Sequence, residues 1–82
     1  MLKAVIGETA GQVYKVLGAN DGKVALNDLL AKVRADTDIV QQAIGWLARE
    51  DKIELTQQGK RTYISLTPNE LNNYQQAQQA QL

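Results

Sequence analysis

Gln41, Gln42 and Arg49 fall at spacings that put them on one side of a helix, and Lys60 and Arg61 stand together in a turn-rich stretch. Side chains of these types read nucleic acid: a glutamine amide pairs bidentately with adenine, and an arginine with guanine or a phosphate. Two adjacent cations in a hairpin loop can lie along a phosphate backbone or enter a minor groove. Arg34, in a tight connection ahead of that helix, adds a phosphate contact, and Gly45 on the same outward face lets another molecule approach the backbone closely. The candidate nucleic-acid-binding set is therefore Arg34, Gln41, Gln42, Gly45, Arg49, Lys60 and Arg61, with duplex DNA as the partner. An ordinary reading competes with it, because any helix face or loop in water carries such side chains. Asp36 and Asp38 weigh against DNA, since they occupy the end of the helix that would approach the phosphates. About four phosphate contacts per copy, at about −0.9 each, give a slope of about −3.6 for log affinity on log salt. Binding of that size is weak unless a dimer doubles it.

Other chemistries are largely excluded by what the chain lacks. Its 82 residues hold no cysteine and no histidine. A disulfide framework, a thiol nucleophile, an imidazole base and the ordinary zinc ligand sets go with them. Glu8, Glu50, Asp51, Glu54 and Glu70 make no paired-carboxylate spacing, and the aspartates are dispersed. Gly7 and Gly11 come without a phosphate-loop pattern or its lysine. No catalytic residue, metal, cofactor or small-molecule ligand is expected. At this length folding buries only about 60% of the surface of the unfolded chain, enough for one small core. No apolar run reaches the roughly 20 residues of a membrane helix, and Gly7 and Glu8 interrupt the only apolar start, so a cytoplasmic protein is expected. Nine basic side chains balance nine acidic ones. All nine basic residues and every acid but Glu70 lie in residues 1–67, so the balance argues against tight DNA binding by a single copy.

The elements that must hold these residues follow from periodicity. Ile6, Ala10, Val13 and Leu17 recur as the stripe of a helix over about 5–17, with Tyr14 beside them and Gly18 as its expected end. Asn20-Asp21-Gly22 signals a turn. Lys23 to Leu26 alternates long enough for a short strand, after which Asn27 is the expected N-cap of a two-turn helix carrying Leu29, Leu30 and Val33. After Arg34-Ala35, Asp36 or Thr37 caps a third helix, which buries Ile39, Val40, Ala43, Ile44 and Leu47 and turns out Asp38, Gln41, Gln42, Gly45 and Arg49. Residues 52–56 and 61–66 alternate as the strands of a hairpin whose loop, 57–60, has Gly59 at its left-handed position. Pro68 suits the first turn of a last helix and Thr67 its cap. Beyond it the chain is rich in glutamine, with few apolar anchors, so this helix is expected to fray.

Helix, short strand, helix, tight turn, helix and hairpin is the order of a winged helix-turn-helix domain, an α+β class in which the hairpin is the wing. At residue level, Ile6-Gly7-Glu8-Thr9-Ala10-Gly11 and Ala43-Ile44-Gly45-Trp46-Leu47-Ala48-Arg49-Glu50-Asp51-Lys52-Ile53 resemble a small family of bacterial and archaeal winged helix-turn-helix proteins of unassigned function. The resemblance spans roughly residues 2–67. It implies the fold and an architectural relationship to transcription regulators, but no ligand or catalytic residue. The expected division is a domain over 1–67 and a glutamine-rich helix or frayed tail over 68–82.

The rival to DNA is a protein partner, including a second copy of the chain. Gly45 within a helix costs about 1 kcal/mol relative to alanine, which points to a close approach from outside. Trp46, one turn from Ala43 and two from Ile39, is expected mainly in the core and alternatively as an interface anchor. Val5 and Val16 share a face with Thr9 and Gln12, available for a dimer contact. Leu71 and Tyr74 are expected to pack on the parent domain, the alternative being the same helix of another copy. The candidate protein-interface set is Val5, Val16, Gly45, Trp46, Leu71 and Tyr74.

Overall fold

The computed structural model describes residues 2–80. Its elements are α1 (Leu2–Ala19), β1 (Lys23–Ala25), α2 (Leu26–Lys32), α3 (Thr37–Arg49), β2 (Ile53–Gln58), β3 (Arg61–Leu66) and α4 (Pro68–Ala80). All three strands are antiparallel, in the order β1-β3-β2. The expected third strand at Val24 thus joins the hairpin, Val24 pairing with Ile64. The last residues of the glutamine-rich tail, 81 and 82, lie outside the described residues.

α1 is the spine of the core. Val13 and Leu17 are wholly buried on its inner side, together with Thr9 and Ala10, and they meet Leu29 of α2, Val40, Ala43 and Leu47 of α3, and Ile64 of β3. A polar side chain can join that stripe because Thr9 Oγ1 donates to the Val5 carbonyl at 2.8 Å, satisfying its hydroxyl within the helix. The helix runs through Gly18 to Ala19, where the sequence predicted an end at Gly18. Reversal is left to Asp21 and Gly22, at φ 61° and 88°, and the Gly22 N–H closes on the Leu17 carbonyl at 2.7 Å. α3 ends in the same way. Asp51 takes φ 57°, the Lys52 N–H reaches the Leu47 carbonyl at 3.0 Å and the Asp51 N–H that of Ala48 at 3.1 Å, a Schellman closure.

Neither inner helix start uses the cap that its sequence offers. α2 begins at Leu26, so Asn27 sits inside its first turn and extended Ala25 holds the cap position without a side-chain bond. Sheet register is the reason: Ala25 is paired opposite Tyr63 and buried, which fixes the last extended residue two positions before the asparagine. Asp36 stands at the cap of α3, also without a side-chain bond. In the hairpin the strands run further than alternation indicated. Gln57 pairs with Thr62 and Gln58 with Arg61, which leaves a turn of Gly59 and Lys60 alone. Gly59 has φ 64° and Lys60 is not among the positive-φ residues, the pattern of a type II′ turn with glycine first.

α4 is docked by few contacts. Its start is capped by Thr67, whose hydroxyl accepts from the Glu70 N–H at 3.4 Å. Tyr14 Oη lies 3.2 Å from both the Glu70 carboxylate and its backbone carbonyl. Tyr14 and Tyr74 stack edge to face at 6.0 Å, and Leu71 packs on the core. Gly18 makes room for this arrangement, since a Cβ there would lie 2.5 Å from the Tyr74 ring. Gly11, on the same helix, has nothing within 4 Å of its would-be Cβ. Gly11→Ala is therefore expected to stabilise the protein by up to about 1 kcal/mol, and Gly18→Ala to destabilise it by about 1–3 kcal/mol as the Tyr74 ring is displaced. Urea unfolding of the two variants measures both signs.

Desolvation and the neighbouring Glu70 carboxylate both raise the Tyr14 pKa above its ordinary value of 10.0. The folded state holds the phenolic proton more tightly than the unfolded chain, so this stabilisation is complete below the ordinary tyrosine range and is lost as pH rises through the elevated value. Tyr14→Phe should cost about 1 kcal/mol at neutral pH, the worth of an ordinary hydrogen bond, and should lose less stability than the parent at alkaline pH. A pH series of urea melts reads both effects.

Candidate functional site

The buried side of α3 fixes what it shows to solvent. With Val40, Ala43, Ile44 and Leu47 held in the core, Asp38, Gln41, Gln42, Gly45 and Arg49 are all exposed. Asp38 in the first turn and Arg49 in the last both complement the helix dipole, so each has a role in the helix before any partner is considered. Asp36 and Asp38 are exposed at the start of α3.

The seven candidate nucleic-acid contacts divide among four places. Lys60 and Arg61 lie at the wing turn and border a small depression of about 160 Å³ shared with Ala25, Leu26 and Asn27, where α2 starts. Gln42, Gly45 and Arg49 line a different, larger depression of about 610 Å³ between α3 and Ile6 of α1, with Trp46 and Glu50 completing it. Arg34 is exposed in the connection between α2 and α3, and Gln41 is exposed on α3 itself; neither borders these two depressions. One cation of the balance is engaged within the chain, since Lys23 Nζ sits 4.9 Å from the centroid of the Tyr63 ring.

The protein-interface candidates are redistributed. Trp46, expected mainly in the core, is 39% exposed. The cause lies in α1, which sets the small residues Gly7, Ala10 and Gly11 in the hollow beside it and so leaves the indole open. Val5 and Val16 do not share one open face with Thr9 and Gln12. Thr9 is buried, Val16 packs against the core, and Val5 and Gln12 are exposed, because α1 is contacted from several directions and buries a wider stripe than a surface helix. Leu71 and Tyr74 lie half-buried, with Leu71 packed against the core and Tyr74 against Tyr14 and Gly18 of α1.

Sequence reasoning missed Ile6, Gly7 and Gly11 as surface-lining residues. The available signal was the four-residue spacing of the two glycines, which places both on one side of α1 next to the Trp46 ring. Leu55 of β2, 53% exposed, was missed as well, since strict alternation marked it as inward-facing. Among the described residues there is no group of three or more acidic side chains placed to hold a metal, and no helix is long and apolar enough to cross a membrane.

Two helices joined by a short turn, the second open to solvent and followed by a two-stranded hairpin, define a winged helix-turn-helix domain. Residues 1–66 match the family described as "Winged helix-turn-helix domain (DUF2582)", and the chain belongs to it. The uncharacterised protein MJ1608 of Methanocaldococcus jannaschii is 42% identical over 62 residues, which is 74% of this chain and 89% of that protein. Two solved structures share the fold at low identity. AF1382 of Archaeoglobus fulgidus has a TM-score of 0.65 and 19% identity over 95% of this chain and 85% of its own. BpsR of Bordetella bronchiseptica, whose DNA binding is regulated by 6-hydroxynicotinic acid, has a TM-score of 0.64 and 17% identity over 89% of this chain and 60% of its own.

Proposed function

We propose that the chain is a DNA-binding module of the transcription-regulator kind, taking duplex DNA through the exposed face of α3 and the wing. The observation that carries this reading is the pairing of two uncovered features. Gln41 and Gln42 stand exposed on the second helix of the helix-turn-helix, and the short wing turn concentrates Lys60 and Arg61 beside the start of α2. In this reading the glutamine amides meet base edges in the major groove, while Lys60, Arg61, Arg34 and Arg49 contact phosphates. Asp36 and Asp38 repel the same phosphates, which keeps the affinity of one copy low. The DNA binding of BpsR, which has the same fold, supports the assignment by analogy.

Exposure of Trp46 favours a second reading, a protein-contact module in which the α1-side flank of α3 meets another chain and DNA is not bound. Fluorescence anisotropy of a labelled duplex across a salt series separates the two. The DNA reading expects a slope of about −3.6 for log affinity on log salt, reduced by about 1.8 in the Lys60→Ala/Arg61→Ala variant, and stronger binding by Asp38→Asn. Absence of any binding at low salt, or a slope indifferent to the wing variant, would contradict it.

A further inference from the structure

The α1-side flank of α3 has the shape of half an interface. Trp46 and Glu50, one turn apart, border two depressions at once, the one of about 610 Å³ over Ile6 and Gly45 and another of about 430 Å³ over Gly7 and Gly11. They form a ridge with a hollow on either side. The indole is 39% exposed, and Trp46 is the only tryptophan of the chain. Each flanking glycine, Gly7, Gly11 and Gly45, lies inside a helix with nothing within 4 Å of its would-be Cβ. Inside the monomer these three glycines serve no close packing, unlike Gly18, and each weakens its helix relative to alanine. The room they leave therefore lies outside the chain.

We propose that two copies of this chain pair through this flank about a two-fold axis, the Trp46 ring of each entering the hollow over Gly7 and Gly11 of the other. A second copy fits better than another kind of partner for two reasons. Ridge and hollow lie side by side on one surface, so the patch is complementary to itself, as an isologous contact requires. Its charges are of both signs, with Lys15, Arg49 and Lys52 beside Glu50 and Glu70, so a two-fold arrangement can set the carboxylates of each copy against the cations of the other. The chain as a whole carries zero net charge and offers no long-range repulsion to a copy of itself.

This inference goes beyond the DNA reading: it uses the α1-side flank of α3, whereas the DNA reading turns on Gln41, Gln42 and the wing. The test is sedimentation velocity of the full chain from micromolar to millimolar concentration, on the parent and three variants. The parent is expected to dimerise, with Trp46 becoming protected from acrylamide quenching over the same range. Gly11→Leu fills the hollow and Trp46→Ala removes the ridge, and each should raise the dissociation constant at least about tenfold. Gly11→Leu has open space at its Cβ and a better helix former, so its monomer should melt no lower than the parent. Leu55→Ser, on the exposed edge strand β2, should leave the dimer unchanged. A parent that stays monomeric throughout overturns the proposal, as does a dimer that survives both flank variants or is broken by Leu55→Ser instead. These outcomes are independent of the DNA reading, which stands or falls on the salt series with the labelled duplex.

Discussion

Burial of one side of α1 is the constraint on which the rest of the domain depends. Val13 and Leu17 are inaccessible to solvent, as are Leu29, Val40 and Ile64, so the central helix has a fully buried partner in α2, in α3 and in the sheet. Each such side chain contributes about 1.5–3 kcal/mol when buried, against a net stability of about 5–15 kcal/mol for a natural domain. No rotation of α3 can therefore be had cheaply. Once Val40, Ala43, Ile44 and Leu47 are committed to the core, the outward direction of Gln41, Gln42 and Gly45 is fixed. The candidate face is a by-product of the packing.

β3 carries the same constraint to the wing. It lies between β1 and β2, and its Ile64 and Leu66 are buried in the core. Pairing of Ala25 with Tyr63 sets where α2 begins, and pairing of Gln58 with Arg61 sets how tight the wing turn is. Through one strand, then, the position of Lys60 and Arg61 is tied to the start of the helix-turn-helix. α4 adds only a light strap, anchored by Tyr14, Tyr74 and Leu71, and much of its surface remains polar and exposed.

How far the sequence disclosed this depends on whether a residue's environment is local. The stripe of α3, the turn at Gly59 and the order of elements are properties of short stretches, and periodicity and turn chemistry reveal them. Asn27 does not cap α2 because a register set by β3, nearly forty residues further on, decides the boundary first. Trp46 could not be placed from its own helix, since its exposure depends on the small residues that α1 happens to set beside it. Gly18 and Gly11 look alike in sequence and differ only in what stands across from them, a tyrosine ring in one case and solvent in the other. Of the candidate site, the membership of α3's outer face was readable, while its division between a wing side and a flank side was not.

One helix thus carries both proposed contacts, with its crest offered to DNA and its flank to a second copy. The distinction is sharp enough to be mapped residue by residue. Backbone amide shifts of the isotopically labelled chain, recorded as unlabelled duplex DNA is added at low salt, test the account most directly. It predicts shifts at Gln41, Gln42, Gly59, Lys60 and Arg61 that fade as salt is raised, with α4 unaffected. Shifts centred on α4 or on Gly7 and Gly11, or none at all at millimolar duplex, would contradict it.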